Sequence, residues 1–457
     1  MTERLAIALD ELVSLAESGE RQRLRILIND INPYDLAEYF QEMEPQHRLS
    51  CFRLLDLDNA SAVLTELEPQ NQRNLLKDLG NLGVVPLISN MSPDDAADIL
   101  SELSEEKAAE IIEQIPDIET KADIKQLLSF DDDTAGGIMS TDYLSLYSRM
   151  TVGEALDYLR EQYEDLEEDI YDVYVVDEAN FLVGVVKVRE LITTQASTTI
   201  EVVMDKDLVK VTTSDDQEEA AKKVERYDLH SLPVVDTEGK LCGVITSDDI
   251  MDVLREEATE DIYQSSGINA TEDGEELGSN VRKAFAARLP WLLITLGIET
   301  GSCTVITHFD AIIQQTVAAA SFMPLLSGVT GSVATQSTCI VIRSSGARDT
   351  LTAKMVARYI WHEVRVGLLL AICCGVFTFI VSLLISNSHH ELGLVVACSL
   401  VITMTFGVTV GTAMPMVFKK IGIDPAHASG PFITSLLDVS TMTIYLTIVH
   451  HFLSHIV

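Results

Sequence analysis

The stretch that decides the fold reads Phe432-Ile-Thr-Ser-Leu-Leu-Asp-Val-Ser-Thr-Met-Thr-Ile-Tyr-Leu-Thr-Ile-Val449. Its apolar character is typical of a membrane-spanning helix, yet Asp438 stands in its middle. A charge near the bilayer centre costs roughly 2.5–3.5 kcal/mol on insertion scales, so carboxylates there are usually paired or face an ion path. Asp438 is either a residue of an ion path or a structural carboxyl group, one that lies near a helix end or that a Ser or Thr neighbour neutralises.

Charge divides the chain into two parts. It has 71 acidic and 32 basic residues, but residues 284–457 hold only seven acidic and eight basic ones. The first 283 residues therefore have 64 acidic and 24 basic residues, a net charge of -40. This acidity argues against nucleic acid or an anionic lipid surface as a partner, since both require basic residues. It suits cations as partners, or it serves only solubility.

Cysteines and the N-terminus limit the other classes. The seven cysteines form no Cys-x-x-Cys pair, so we predict reduced packing residues and no disulfide framework or zinc site. Residues 1–6 lack the basic start of a signal peptide, and we expect the acidic part to stay in the cytoplasm. The absence of a nucleophile–base arrangement and of a Gly-rich phosphate motif argues against an enzyme.

The first 130 residues contain a repeat. Three triplets that end in proline recur at an interval of 24: Met43-Glu-Pro45, Leu67-Glu-Pro69 and Met91-Ser-Pro93. Proline is favoured in the first helical turn, so each triplet predicts a helix start. A fixed period predicts stacked helices, and we therefore expect residues 1–130 to form an acidic, superhelical α-helical N-domain.

A longer repeat follows, at an offset of 59. Each copy is predicted to run strand, turn, strand and helix, with the turns at Asn180 and at Glu238-Gly239. The two copies open at Ile138-Met139 and Val203-Met204. The matching segments are Val175-Val-Asp177 with Gly184-Val-Val186, and Val234-Val-Asp236 with Gly243-Val-Ile245.

These copies resemble a tandem pair of α/β CBS domains, placed at 138–200 and 201–252. The resemblance implies a cleft for an adenosyl nucleotide such as ATP, with Arg189 as a candidate contact, although many such pairs serve only as dimer contacts. Asp249 to Gln264 continues as one acidic helix, either a lever to the membrane part or a solvated linker. We assign 253–283 to this connecting helix and its linker.

The apolar part, residues 284–457, is predicted as a transmembrane domain of five helices. The second span is too long for one straight helix, and Pro324, Gly328 and Gly331 are expected to interrupt it. The spans are placed near Leu289–Thr307, Ile312–Ile342, Val366–Ile385, Leu392–Phe418 and Phe432–Leu453.

Loop charges predict the orientation. The loops after spans two and four are basic, whereas 307–311 and 386–391 contain no Lys or Arg. A cytoplasmic N-terminus with five spans places every basic loop inside, as the positive-inside rule requires. The basic loop residues are Arg343, Arg348, Lys354, Arg358, Lys419 and Lys420.

Four-residue steps along the last span join Asp438, Thr434 and Gly430 in one stripe. Asp424 lies 14 residues before Asp438, which places it about 21 Å away along a straight helix, at the cytoplasmic edge. Small residues at this spacing also permit close helix packing, which is the alternative interpretation. If this face meets a second copy across a two-fold axis, two carboxylates would hold a divalent cation between them.

Mg²⁺ suits such a site physically. It sheds its octahedral waters reluctantly, so few carboxylates and several hydroxyl or carbonyl acceptors suffice for the hydrated ion. Calcium would need more direct oxygen ligands, and the chain lacks the His and Cys clusters that softer metals prefer.

The whole chain resembles the MgtE magnesium channel family. The matching segments are Asp131-Asp-Asp-Thr-Ala-Gly-Gly-Ile-Met139, Glu257-Ala-Thr-Glu-Asp261, Arg288-Leu-Pro-Trp291 and Asp424-Pro-Ala-His-Ala-Ser-Gly-Pro431 with Asp438. The resemblance implies a homodimer in a bacterial inner membrane, a pore between the two final helices and hydrated Mg²⁺ bound at Asp438. It also implies that high internal Mg²⁺ closes the pore by binding cytoplasmic acids, which here are Asp94, Asp98, Asp216, Glu218, Asp228, Asp249, Asp252, Glu257, Glu260 and Asp261.

Charge favours the same mechanism. A net charge near -40 per subunit opposes compact packing of the cytoplasmic parts until divalent ions bridge them, so Mg²⁺ acts as a ligand of the closed state. Several weak sites would have to act together to shift the equilibrium enough for gating.

The chain departs from the family pattern in three places. The second span reads Ser327-Gly-Val-Thr-Gly-Ser-Val-Ala-Thr-Gln-Ser337 where relatives are asparagine-rich, and Gly430 stands where some have asparagine. Glu299 occupies a position of the first span that is usually apolar in the family. It is either an additional ion ligand or a group that reaches a neighbouring Ser or Thr.

Two further functions stay open on the sequence alone. The first is transport of another divalent cation such as Co²⁺ or Mn²⁺, or Na⁺-coupled Mg²⁺ efflux. The second, from another class, is a membrane-anchored nucleotide sensor that transports nothing.

Overall fold

The computed structural model describes residues 11–162, 171–268, 281–346, 352–385, 390–428 and 430–453. The linker glycines Gly274 and Gly278 and the loop residue Arg348 lie outside these residues. The chain divides into two compact units, Met1–Arg255 and Glu256–Val457, each described by itself below.

The first unit begins with short helices. Pro45, Pro69 and Pro93 each occupy the first position of a helix, which confirms the starts predicted from the three triplets. Apolar faces of these helices share one hydrophobic core that includes Phe40 and Leu76. The helices are α1 (Arg21–Ile28), α2 (Pro33–Glu42), α3 (Pro45–Phe52), α4 (Leu57–Thr65), α5 (Pro69–Leu79), α6 (Asn81–Ile88), α7 (Pro93–Ser101), α8 (Glu105–Gln114) and α9 (Ile118–Leu127).

Two three-stranded sheets follow, one in each predicted CBS copy. In each sheet a short strand runs parallel to the middle strand, which pairs antiparallel with the third. The registers match: Val175 pairs with Gly184 and Val234 with Gly243, as the 59-residue offset predicts. The strands are β1 (Ser145–Tyr147), β2 (Asp172–Val176), β3 (Leu182–Lys187), β4 (Val211–Thr212), β5 (Ser231–Val235) and β6 (Leu241–Thr246).

Both predicted turns adopt left-handed backbone, with φ +64° at Asn180 and +96° at Gly239. Glycine and asparagine tolerate this region better than other residues, so the two turns are equivalent. The helices of this part are α10 (Val152–Gln162), α11 (Val188–Thr193), α12 (Ile200–Val203) and α13 (Gln217–Tyr227).

The methionine-containing starts do not pack on the copies that they open. A β carbon at Gly243, in the second copy, would stand 2.7 Å from the sulfur of Met139. A β carbon at Gly184, in the first copy, would stand 2.6 Å from that of Met204. Each opening segment thus covers the sheet of the other copy, because a glycine in β3 or β6 leaves room for the methionine.

The acidic connecting helix is α14 (Ser247–Ser265), which begins two residues before the predicted start and is continuous. Asp249 reaches back to the helix start, where its Oδ2 accepts the Thr246 hydroxyl at 2.6 Å. The same oxygen accepts the Thr246 N–H at 3.4 Å, and a carboxylate that reaches back to the residue before a helix stabilises the helix start.

Five helical segments in the described part of the second unit are long and apolar enough to cross a membrane, as predicted. They comprise α15 (Val281–His308), α16 (Asp310–Gln315), α17 (Val317–Ala320), α18 (Met323–Gly346), α19 (Ala353–Ile385), α20 (His390–Lys420) and α21 (Gly430–Leu453), with a 3₁₀ turn at Pro425–His427.

The second span is broken, but not where the sequence analysis placed the interruption. The breaks lie at Thr316 and between Ala320 and Met323, whereas Gly328 and Gly331 belong to the unbroken helix α18. Pro324 stands in the first turn of α18, a position that proline favours. The prediction that the two glycines interrupt the helix is therefore wrong.

Close contacts hold the membrane helices together. A β carbon at Gly411 of α20 would stand 2.4 Å from the backbone oxygen of Ala334 in α18, so only glycine allows this approach. The hydroxyl of Tyr445, buried in α21, donates to the backbone oxygen of Ala319 at 2.8 Å. These contacts fix the second span against the fourth and the last spans, and the candidate site lies between the second and the last.

Candidate functional site

Asp438 lies on α21 and faces α18. Its Oδ1 accepts a hydrogen bond from the hydroxyl of Ser327, and its side chain borders a cavity of about 340 Å³. Hydroxyls and glycines dominate the lining, which consists of Ser327, Gly328, Gly331, Ser332, Thr335, Thr434 and Asp438. This site can offer oxygen ligands to a cation while leaving room for its waters.

The predicted stripe is present in part. Thr434 lines the cavity with Asp438, and its hydroxyl donates to the backbone oxygen of Pro431 at 3.0 Å. Gly430 starts α21 beside Thr335, whose Cγ2 would lie 3.4 Å from a β carbon at this glycine. Gly430 therefore stands next to the cavity lining but is not part of it.

Asp424 departs from the prediction. It is exposed and precedes the 3₁₀ turn Pro425–His427, where its Oδ1 accepts the Ala426 N–H at 2.8 Å. Because α21 begins only at Gly430, the straight-helix separation of about 21 Å does not apply. Asp424 is not on the same helix as Asp438, and its carboxylate caps the turn.

Glu299, in α15, lies beside the Asp438 carboxyl group and beside Ser302. A β carbon at Gly301 would stand 3.2 Å from Val439, which shows how closely α15 and α21 pack at this level. The position of Glu299 is compatible with both interpretations, since an additional ion ligand would lie next to Asp438 and a serine, Ser302, is its neighbour.

A second group of acids lies in the first unit, where the N-domain meets the second CBS copy. The Ser140 hydroxyl donates to Oδ1 of Asp94 at 3.1 Å. Burial raises the pKa of Asp94 to about 6, with the charge of Asp95 as the next cause. Burial also raises the pKa of Asp249 to about 6, with Asp94 among its causes. The structure thus brings together acids from α7 and α14.

Asp98 is the most perturbed member of this group. Its side chain keeps contact with solvent, yet the protein around its carboxyl group displaces water, and this desolvation raises its pKa to about 8. The charges of Asp94, Asp95, Asp249 and Asp132 add to this increase. Sequence reasoning missed Asp95 and Asp132 as members, although Asp95 adjoins Asp94 and Asp132 belongs to the quoted Asp131-Asp-Asp motif.

Asp252 lies near the same group. Burial raises the pKa of Glu66 in the N-domain, and the next causes are Asp252 and Asp95. Asp252 also accepts a hydrogen bond from Arg255, so it is partly neutralised. Glu66 is a further residue that the sequence analysis did not find.

Three other predicted sensor residues have separate local roles. Asp216 caps α13 and accepts the Glu218 N–H at 2.8 Å; it also lines a cavity of about 440 Å³ with the acids 131–133. Glu218 pairs with Lys222 at 2.6 Å. Asp228 ends α13 in left-handed conformation, φ +51°.

The remaining predictions concern two helices. Glu257, Glu260 and Asp261 lie on α14 within the second unit, where Glu260 and Asp261 are exposed and Glu257 is half-buried. Arg189 is exposed on α11 in the first CBS copy. Among the residues that the structure describes, no three His, Cys, Asp or Glu side chains form a ready metal site.

Comparison with known proteins bears on the whole chain. The chain is 35% identical over 447 residues to "Magnesium transporter MgtE" of Bacillus subtilis (strain 168), and the match covers 97% of this chain and 96% of the relative. The protein of the same name from Thermus thermophilus is 33% identical over 450 residues, 98% of each chain. The chain belongs to the MgtE family. The resemblance to this family predicted from the sequence is confirmed.

Family models divide the chain as the fold does. The MgtE intracellular N domain matches residues 31–133, the CBS domain matches 135–197 and 200–256, and the MgtE model, described as a divalent cation transporter, matches 323–448. The predicted multidomain fold class is therefore confirmed, together with a multi-pass membrane part. The MgtE family models and the two magnesium transporters above do not belong to an enzyme class.

Two solved structures match the part of the chain that precedes the membrane spans. The cytosolic domain of the Mg²⁺ channel MgtE in complex with ATP is 35% identical, with a TM-score of 0.51, over 54% of this chain and 99% of that one. The soluble part of a magnesium transporter is 29% identical, with a TM-score of 0.50, over 56% of this chain and 99% of that one.

Proposed function

We propose that the protein is a Mg²⁺-gated Mg²⁺ channel of a bacterial inner membrane, closed when Mg²⁺ binds its cytoplasmic acids. The observation that carries this proposal is the Asp438 carboxylate at the edge of a hydroxyl-lined cavity within the spans. A carboxylate in a membrane segment is expected to be paired or to face an ion path. The names of the relatives, magnesium transporters, support Mg²⁺ as the ion.

The lining chemistry fits hydrated Mg²⁺. This ion keeps several waters and needs only one or two carboxylates. Ser327, Ser332 and Thr335 supply hydroxyls that can accept hydrogen bonds from those waters, beside the carboxylate of Asp438. The pore site thus comprises Asp438 and Thr434, with Gly430 beside it and Asp424 at the cytoplasmic end of the last span.

We place the pore between two copies of the chain. Gly328 and Ser332, one helical turn apart on α18, are both exposed in the single chain, and Asp438 is only partly buried. A polar face of this kind within a membrane needs either water or a partner. A two-fold homodimer with facing α21 helices provides both, because it places two Asp438 carboxylates around one axial space.

Gating follows from the acidic group at the N-domain. Burial raises the pKa values of Asp94, Asp98 and Asp249 to about 6, 8 and 6, and repulsion from neighbouring acids adds to the increase. Mg²⁺ relieves this repulsion, so its binding favours the compact arrangement in which these acids meet. The other sensor residues, Asp216, Glu218, Asp228, Asp252, Glu257, Glu260 and Asp261, are proposed to contribute further weak sites.

Helix α14 can carry this response to the pore. It runs without a break from the second CBS copy to Ser265, whose backbone oxygen lies 3.7 Å from the place of a β carbon at Gly430. The end of the acidic helix therefore sits at the start of the last span. Binding of Mg²⁺ that holds α14 in place would keep this entrance narrow.

Two further assignments complete the proposal. The ATP complex of a related cytosolic domain supports ATP binding in the CBS cleft, with Arg189 as a contact. The acidic first unit and the basic loops after spans two and four support a cytoplasmic N-terminus. Membrane lipid and a second copy are then the partners, and nucleic acid is not one.

Flux through purified protein tests this function. Full-length chain in liposomes should admit Mg²⁺ down its gradient without Na⁺, and flux should fall as Mg²⁺ on the cytoplasmic side rises. Flux that requires Na⁺ would instead identify a coupled transporter, and preference for Co²⁺ or Mn²⁺ would identify another cargo. Absence of any ion flux, with ATP bound, would favour a nucleotide sensor and refute the proposal.

A further inference from the structure

The first span brings a second carboxylate to the pore site. Glu299 lies half-buried on α15, beside Asp438 on α21. The close approach of Gly301 to Val439, 3.2 Å from a β carbon, holds the two helices together at this level. The pair is therefore positioned by helix packing and does not depend on a flexible loop.

The segments around the pair contain no lysine or arginine that could neutralise it. Residues 289–342 and 421–457 contain no Lys or Arg, and they include most of the first, second and last spans. Two neighbouring carboxylates in a membrane segment repel each other and are costly to bury unpaired. A divalent cation is the ligand whose charge matches the pair.

Ser302 gives an independent sign of a ligand. It lies one helical turn after Glu299 and faces it, and the residue is 8% exposed. Within the described part of the chain, its Oγ forms no hydrogen bond of acceptable geometry. A buried hydroxyl normally finds a partner, so this oxygen is available to an ion or to an ion-bound water.

We propose that Glu299 and Ser302 extend the Asp438 site into a two-carboxylate site that binds divalent cations with fewer retained waters than Asp438 alone would allow. This inference rests on the proposed ion path. More direct oxygen ligands favour Ca²⁺, which takes six to eight, over Mg²⁺, which keeps its water shell. Ca²⁺ should therefore block Mg²⁺ influx in this protein, and Glu299 determines how strongly.

The test uses full-length protein in liposomes, with Mg²⁺ influx followed by an internal indicator while external Ca²⁺ is varied. E299Q, nearly isosteric, should raise the half-blocking Ca²⁺ concentration roughly 10–100-fold, the usual cost of losing a group that supports a metal site. S302A should shift it in the same direction by a smaller factor. D310N, which removes an exposed carboxylate at the start of α16, just after this span, should leave it unchanged.

The outcomes separate the two proposals. A half-blocking Ca²⁺ concentration within twofold of wild type in E299Q would overturn the role of Glu299, while Mg²⁺ influx through wild type would leave the channel proposal standing. If E299Q aggregates, S302A decides, and an unchanged Ca²⁺ block in that variant overturns the inference. Loss of all influx in wild type would refute the channel itself.

Discussion

Replacing Asp94 with asparagine should strengthen the contact between the N-domain and the second CBS copy when Mg²⁺ is absent. Burial and the Asp95 charge raise the pKa of Asp94 from 3.8 to about 6. One pKa unit corresponds to about 1.4 kcal/mol, so keeping this carboxylate ionised at neutral pH costs at most about 3 kcal/mol. Solvent at the partly exposed site lowers this to about 1–2 kcal/mol. The asparagine oxygen can still accept the Ser140 hydroxyl.

The sign of the pH dependence follows from the same shift. Since the folded-state pKa of Asp94 lies above that of an unfolded aspartate, its protonation stabilises the contact fully below about pH 4. This stabilisation is lost as pH rises through about 6. In wild type without Mg²⁺, the contact should therefore be tighter at pH 5 than at pH 7.5, and D94N should lose part of this difference.

Hydrogen exchange of the full chain provides the measurement. At pH 7.5 without Mg²⁺, amides of α7 (Pro93–Ser101) should exchange about 5–30-fold more slowly in D94N than in wild type. Added Mg²⁺ should slow exchange strongly in wild type and less in D94N. E110Q, which removes an exposed charge from α8, is the matched control. Faster exchange in D94N, or an unchanged response to Mg²⁺, would refute the reasoning.

Two further predictions concern packing. G411A should lower the midpoint of thermal unfolding of the detergent-solubilised chain, because the added β carbon meets the Ala334 backbone oxygen and overpacking costs about 1–3 kcal/mol. The control G297A should keep the wild-type midpoint, because a β carbon at Gly297 has no atom within 4 Å. A G411A midpoint equal to that of wild type would contradict the helix contact. Cys51, whose pKa burial raises to about 11, should resist iodoacetamide at pH 8 in folded protein and react once the chain is unfolded in denaturant, as mass spectrometry can show; rapid labelling of Cys51 in folded protein would contradict its burial.

Local patterns predicted most of the fold. Proline in the first helical turn located the starts of α3, α5 and α7, and the 59-residue offset located both sheets with their turns. These features depend on neighbouring residues, which the sequence displays directly. The exchange of Met139 and Met204 between the two copies depends on tertiary packing, and the repeat alone gave no sign of it.

The candidate site was predictable only in part. Asp438 and Glu299 could be singled out because a charge in an apolar run is costly, but their contact depends on how α15 and α21 are rotated about their axes. The Ser327 partner and the acids Asp95 and Asp132 come together through distant segments for the same reason. Asp424 was misplaced because helical spacing was extended through a turn that precedes α21.

The role of Asp438 is the central claim, and Mg²⁺ influx into liposomes containing D438N tests it most directly. The carboxamide keeps the size of the side chain and removes the charge that would hold the ion. The control is S440A, a change on the same helix at a hydroxyl that donates only to the Leu436 backbone oxygen among the described residues. We expect D438N to admit no more Mg²⁺ than empty liposomes while S440A matches wild type; influx through D438N at the wild-type rate would contradict the account.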